Sequence, residues 1–211
     1  MNEFKIDPNM KNRASRFIII RRGKSEDRKE LFQVTMESIA ALCAKDYTCE
    51  QLQCLLRDKT ERFRQGIKLG ETIFVAQLEG KIIGYSSLLS RSIGAMFVLP
   101  QYARQGVGKK LLETIEAEAI ARDLKFLIAI ASLTGVPFYQ ACGYRCLENY
   151  SLSIGDREIG SQINIPCIRM KKKLLPGINT KQTVNLDRWI AIKKITKFIF
   201  KADRIYQKKS Q

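Results

Sequence analysis

The most constraining feature of the chain is the run Pro-Gln-Tyr-Ala-Arg-Gln-Gly-Val-Gly-Lys-Lys-Leu from Pro100 to Leu111. It sets Gly106 and Gly108 between a β-rich apolar run, Ser92 to Leu99, and a stretch of helical period. In that stretch Leu111, Leu112, Ile115, Ala119 and Ile120 recur on one side, with Glu113, Glu116 and Glu118 between them. A strand that passes through glycines into an amphipathic helix makes an anion site by geometry. The first-turn amides have no carbonyl to meet, the helix dipole adds partial positive charge, and glycine lets a phosphate approach the backbone without a Cβ in the way. Arg104, Lys109 and Lys110 add cationic side chains. A Gly-x-Gly alone describes a plain turn equally well, so its context has to decide.

Two familiar phosphate motifs fail on their residues. A P-loop needs glycine where Ala103 stands and a hydroxyl where Lys110 stands. A dinucleotide fingerprint needs a third glycine where Leu111 stands.

The flanking sequence supplies a sheet. Downstream, Lys125 to Ala131 is a continuous apolar run suited to a buried strand, Val136 to Cys142 reads as a short helix stopped by Gly143, and Tyr144 to Ile154 and Ile163 to Lys172 read as two more strands. Upstream, Phe17 to Arg22 is a first strand. Ser25, with Glu26 and Asp27 behind it, is read as the cap of a helix reaching about Cys43. Thr48, with Glu50 and Gln51, caps a second helix that passes through Leu52, Leu55 and Leu56 towards Gly66 and Gly70. Thr72 to Leu78 and Lys81 to Leu89 flank Glu79-Gly80, which is hairpin chemistry, and with Ser92 to Leu99 they predict a three-strand antiparallel meander.

At 211 residues and 45% hydrophobic content the chain holds one full domain and an appendage. No run of about 18 apolar residues occurs, and Met1 to Arg16 is polar, so neither a membrane span nor a secretory signal is supported and a cytoplasmic location is expected. The six cysteines form no Cys-x-x-Cys pair and histidine is absent. That argues against a zinc site and against a serine or cysteine nucleophile with its usual base, and reads the thiols as buried and reduced.

The Val98-x-Pro100 pair, the Gln105-Gly106-Val107-Gly108 turn and, about thirty residues on, Pro137-Phe138-Tyr139-Gln140-Ala141-Cys142-Gly143-Tyr144 resemble the GCN5-related N-acetyltransferase (GNAT) family. The resemblance in element order spans residues 17–174. It implies an α/β acyl-CoA N-acyltransferase fold, with a central mixed, mostly antiparallel sheet of six to seven strands flanked by helices. It also implies acetyl-CoA as co-substrate, an amine acceptor and no metal. By position, the backbone of Met96, Phe97 and Val98 would pair with the pantetheine arm. The turn Arg104, Gln105, Gly106, Val107, Gly108 and Lys109 would hold the pyrophosphate, with Thr134 and Phe138 in the same cofactor set. Tyr139 would protonate the departing CoA thiolate, a role open to a phenol of pKa about 10 because it is protonated at neutral pH.

The chain also departs from the family. Ala103 replaces the usual Gln or Arg, Ser132-Leu133-Thr134 stands where an Asn is frequent, and Ser92 to Val98 contains no carboxylate, which leaves the general base unidentified. Glu37, Asp46 and Glu148 are the distant carboxylates to weigh. Asp46, Tyr47, Arg57, Arg62 and Arg64 lie in the region that would meet an acceptor.

The charge is uneven. From Arg169 to the end there are thirteen Lys or Arg against Asp187 and Asp203, a net +11 of the chain's +16. Leu186, Trp189, Ile192, Ile195, Ile199, Ala202 and Tyr206 fall at helical spacing with lysines between them, predicting a basic amphipathic helix. It is suited to docking or homodimerisation, and less to a membrane surface or nucleic acid. The expected organisation is an N-terminal arm over 1–16, a catalytic domain over 17–174 and a basic helical extension over 175–211, hinged at Leu175-Pro176-Gly177. A CoA-binding or anchoring protein without catalysis is the competing reading.

Overall fold

The structure, a computed structural model, describes residues 18–66, 70–155 and 162–174. These belong to one compact unit that ends at Leu174. The arm over 1–16, the hinge and the basic helix expected over 175–211 lie outside the described residues.

The chain order is β1 (Ile19–Arg22), α1 (Arg28–Leu42), α2 (Cys49–Gln65), β2 (Thr72–Leu78), β3 (Lys81–Leu89), β4 (Ser92–Val98), α3 (Val107–Ala121), β5 (Phe126–Ser132), α4 (Val136–Ala141), β6 (Arg145–Gly155) and β7 (Gln162–Lys173). The seven strands form one sheet in the order β1-β2-β3-β4-β5-β7-β6. Every neighbouring pair is antiparallel except β4 and β5, which are parallel.

Helices cover both faces, and the strands' two-residue period sorts the core between them. Phe74 and Ala76 of β2, and Leu127, Ala129 and Ala131 of β5, pack with Leu111, Leu112 and Ile115 of α3 and Tyr139 of α4. On the other face Val75 meets Leu31 and Val34 of α1, while Ile163, Ile165 and Cys167 of β7 meet Cys54 and Leu55 of α2. Leu111, Leu112 and Ile115 are fully buried, and each contributes about 1.5–3 kcal/mol relative to exposure.

Local chemistry explains the element ends. Thr48 and Gln51 form the expected capping box: Thr48 Oγ1 accepts from the Gln51 amide at 3.2 Å, and Gln51 Oε1 accepts from the Thr48 amide at 3.1 Å. Glu79 and Gly80 both take positive φ, 50° and 82°, as a tight hairpin requires. The start of α1 differs from expectation. Ser25 does not cap it but donates to Glu26 at 2.8 Å, inside a 3-10 turn spanning Ser25–Asp27. The organising residue is Asp27, which is buried, accepts from the Lys24 amide at 2.8 Å and takes both guanidinium nitrogens of Arg21 at 2.7 and 2.8 Å. The Arg21 bonds hold its carboxyl below the ordinary carboxylate range against the opposing effect of burial.

The six thiols are free, and the expectation that they are buried holds only in part: Cys54 and Cys167 are buried, Cys49 and Cys146 are exposed. No helix among the described residues is long and apolar enough to cross a membrane.

Candidate functional site

The sheet is split at its one parallel junction. β4 and β5 are in register only at Ser92 with Ile128 and Ile93 with Ala129. Beyond that point β4 stays paired to β3 through Val98 and β5 stays paired to β7 through Ser132, yet the two strands no longer meet. The backbone edge of Gly94 to Val98 therefore faces a gap rather than a strand partner, which is unspent hydrogen-bonding capacity in the middle of a sheet. A bulge marks the place. The β3 register steps from Ser87 opposite Ala95 to Leu88 opposite Ile93, so Gly94 is the extra residue of β4.

Side chains along this edge turn away from the gap. Met96 and Val98 pack into the cluster under α3, while Phe97 faces the other side, its ring 5.6 Å from that of Tyr85. What β4 offers the gap at Met96, Phe97 and Val98 is main chain.

The glycine turn follows from the end of β4. Arg104 and Gly106 both adopt positive φ, 62° and 84°. Lys110 is the first amide of α3 to reach a carbonyl, that of Gly106 at 3.0 Å, and no side chain caps the helix. The amides before it are the open donors of a helix start. The two glycines serve different ends. A Cβ on Gly106 would meet nothing within 4 Å, so only its conformation demands glycine and the space outside it is open. A Cβ on Gly108 would lie 3.3 Å from the Phe138 ring, so Gly108 makes room for that side chain. Val107 is buried against Gly84, where a Cβ would meet Val107 Cγ1 at 3.3 Å and the Phe97 carbonyl at 2.9 Å. Gly84 thus draws the start of α3 close to the sheet. Gln105 donates back to the Gln101 carbonyl at 2.7 Å, and Arg104 and Lys109 are exposed.

The Phe-Tyr-x-x-x-Gly-Tyr run of α4 has a structural cause of its own. The Tyr144 amide bonds the Tyr139 carbonyl at 3.0 Å and the Gly143 amide bonds the Gln140 carbonyl at 2.9 Å, with Gly143 at φ 86°. That is the Schellman termination, and its customary apolar contact is the Tyr139 and Tyr144 ring pair at 5.3 Å. Lys172 of β7 ties the corner down by pairing with Glu116 of α3 at 2.7 Å. Tyr139 is buried, and burial, with a smaller push from Cys142, raises its phenol above the ordinary value.

Beside α4, Ser132 accepts from the Gly135 amide at 3.1 Å and fixes the turn that leads into the helix. Thr134, expected in the cofactor set, donates its hydroxyl to Asp46 at 2.5 Å. Tyr47 accepts from the Leu133 amide at 2.8 Å and donates to the Pro166 carbonyl at 2.9 Å, so it is a buried tie between the α1–α2 loop, the β5–α4 turn and β7. Of the distant carboxylates, Glu37 accepts from Gln33 on its own helix and Glu148 pairs with Arg169 across β6 and β7. Both are ordinary surface charges. Arg62 and Arg64 pair with Asp58 and Glu61 along α2. The sequence reading missed Gly94 and Gly84, whose small size is legible only once their strand neighbours are known.

The acetyltransferase (GNAT) domain family matches residues 43–155. An uncharacterized N-acetyltransferase of Escherichia coli, YafP, is 22% identical over 131 residues, covering 62% of this chain and 83% of its own length. Among solved structures, a GCN5-related N-acetyltransferase of Rhodopseudomonas palustris superposes with a TM-score of 0.67 at 27% identity, over 74% of this chain and 96% of that one. The PaiA N-acetyltransferase of Thermoplasma acidophilum, in complex with coenzyme A, superposes with a TM-score of 0.58 at 20% identity, over 74% and 98% of the two chains.

Proposed function

The chain belongs to the acetyltransferase (GNAT) domain family, and from that premise we propose that it moves the acetyl group of acetyl-CoA directly onto a primary amine. The observation that carries this reading is the split between β4 and β5, which leaves the edge of Gly94 to Val98 unpaired and leads to the open helix start at Gly106. An extended arm with amide groups can add to such an edge as a strand would, and a pyrophosphate suits the α3 amides beside Arg104 and Lys109. The coenzyme A held by the Thermoplasma acidophilum protein, which shares the fold, supports the same occupant.

In the reaction the neutral amine attacks the thioester carbonyl, a C–N bond forms and the C–S bond breaks. An amide of the free β4 edge serves the carbonyl oxygen as charge develops on it. Sulfur leaves as a thiolate, Tyr139 gives it a proton, and the proton that nitrogen sheds as the amide forms passes through water to restore the phenol. Burial keeps the phenol protonated well above neutral pH and makes it a weaker acid, so its proton passes only as charge gathers on the departing sulfur.

The test is CoA release from acetyl-CoA with n-butylamine, spermidine, Nα-blocked lysine amide and an alanine-terminated peptide, run beside thermal melting. Acetyl-CoA should raise the melting temperature by several degrees, and at least one amine should be turned over. Cofactor stabilisation with no turnover on any amine would overturn the transfer reading in favour of a CoA binder without catalysis.

A further inference from the structure

One duty in that reaction has no residue yet. An amine that arrives as its ammonium must lose a proton before it attacks, and Ser92–Val98 reads Ser-Ile-Gly-Ala-Met-Phe-Val, with no carboxylate. The structure brings one to this strand from elsewhere. Glu71 stands immediately before β2, which is separated from β4 by β3. Its Oε1 lies 3.2 Å from the point where the first side-chain carbon of residue 94 would be, with Ser87 Oγ at 2.7 Å from the same point. The glycine at the bulge is therefore the space into which a carboxylate from another strand reaches.

We propose that Glu71 is the proton acceptor for the attacking amine, occupying at the Gly94 bulge the place that a carboxylate carried on β4 would take. This rests on the transfer reading above. Three features support the assignment. Gly94 is the first residue past the last β4–β5 pair, so the carboxylate stands at the apex of the split.

Second, Glu71 acts on the α1 side of the sheet. Its charge is felt by the phenol of Tyr85, which shares a hydrogen bond of 2.7 Å with Thr35 of α1 and packs beside Phe97. The glycine turn and Tyr139 belong to the opposite face, with α3 and α4. A base and an acid on opposite faces suit an amine that arrives from one side while the thiolate is protonated from the other.

Third, Ser87 Oγ is buried next to the same point as the Glu71 carboxylate and has no hydrogen-bond partner, so its hydroxyl proton is available to the carboxylate beside it. Tyr85, from β3, does not compete for the proton, since burial first and Glu71 after it push its phenol up.

The balance is simple. The ammonium proton passes to the Glu71 carboxylate, the freed lone pair forms the C–N bond, the C–S electron pair leaves with sulfur, Tyr139 protonates the thiolate, and the second proton that nitrogen sheds as the amide forms passes through water to restore the Tyr139 phenol. Glu71 then returns its proton to water.

The experiment is kcat/KM for the best amine of the panel between about pH 6 and 10 for the full chain and for Glu71→Gln, with the acetyl-CoA melting shift as the check on folding. At neutral pH the variant should lose about 100-fold or more. The deficit should shrink as pH rises, because solvent then supplies the neutral amine, and the cofactor shift should match the parent's. A loss below about threefold, or a larger loss of constant size across the pH range, would overturn the assignment while leaving acetyl transfer intact. If Glu71→Gln does not melt cooperatively, Glu71→Asp decides: it keeps a carboxylate and should follow the parent's pH dependence at a lower rate, and a pH dependence unlike the parent's in that variant overturns the proposal. A parent chain that binds acetyl-CoA but acetylates no amine sinks both readings.

Discussion

The turn that opens α3 and the turn that closes α4 both place a glycine at nearly the same positive φ, 84° at Gly106 and 86° at Gly143, and they use it in opposite ways. At Gly143 the left-handed residue completes a set of bonds: its own amide and that of Tyr144 return to the Gln140 and Tyr139 carbonyls, and the rings of Tyr139 and Tyr144 close over them. At Gly106 the same conformation turns the chain into a helix whose first amides meet no carbonyl and which no side chain caps, and nothing stands within 4 Å of its missing Cβ. The Gly143 turn spends its hydrogen-bonding capacity and the Gly106 turn saves it. The glycines alone do not tell a packing device from a ligand site; the unspent donors do.

Tyr139 belongs to the closed turn by its backbone and ring and to the proposed chemistry by its hydroxyl, so two substitutions separate the roles. Tyr139→Ala removes the ring that sits under Tyr144 and Phe138 and should cost about 3–5 kcal/mol of stability, seen as a large fall in the denaturant midpoint. Tyr139→Phe keeps the ring and should change stability by less than about 1 kcal/mol while lowering kcat by about 100-fold or more. If Tyr139→Phe retains full turnover, Tyr139 is a packing residue alone and the closed turn has no chemical part.

Substituting the two glycines tests the contrast directly. Gly106→Ala forces a Cβ into a left-handed conformation at about 1–2 kcal/mol, and it sets that Cβ in the open space where a phosphate would come, so acetyl-CoA affinity should fall about tenfold or more as well. Gly143→Ala meets Lys172 Cε at an ordinary 3.7 Å. It should therefore cost about the same 1–2 kcal/mol in backbone strain and leave the acetyl-CoA Kd unchanged. Equal effects on Kd, measured by calorimetry, would erase the distinction between the turns. Gly108→Ala should fall between them, because its Cβ presses on a Phe138 ring that has to give by a few tenths of an ångström.

Regular elements were legible in the sequence because each carries its own local signal. The helical period of α3, the Thr48 capping box and the Glu79-Gly80 hairpin need only neighbours within a few positions, and all three stand where their residues predict. The misreading at Ser25 has the same origin: Ser25 is a good cap by type, but the deciding bond joins Asp27 to Arg21 on β1, and residue preferences at a helix start do not include a strand's guanidinium. The split between β4 and β5 is a fact of register, and nothing in either strand's composition says where their pairing stops. Glu71 was out of reach for the same reason. It is far from Gly94 in the chain, and its meaning depends on the bulge that brings the two together.

The smallest effect concerns the lock on the closed side. Lys172 bonds both carboxylate oxygens of Glu116 at 2.8 and 2.7 Å, with side-chain exposures of 28% and 16%, and its ammonium lies 5.7 Å from the centre of the Tyr144 ring. A pair this sheltered is worth more than a surface bridge, yet both ends retain some water, so the gain stays near the upper end of the exposed range. Lys172→Met should cost about 1–2 kcal/mol, chiefly by leaving the Glu116 carboxylate half-buried and unpaired. Glu116→Gln should cost less, because an amide needs no countercharge. A double-mutant cycle should return a coupling of about 0.5–1 kcal/mol, with the acetyl-CoA Kd unmoved in all three variants. A coupling near zero would assign the Tyr139–Tyr144 corner to the Schellman bonds alone, whereas a shift in Kd would show that the closed turn and the open one are mechanically linked through α3, which carries both Glu116 and the Gly106 helix start.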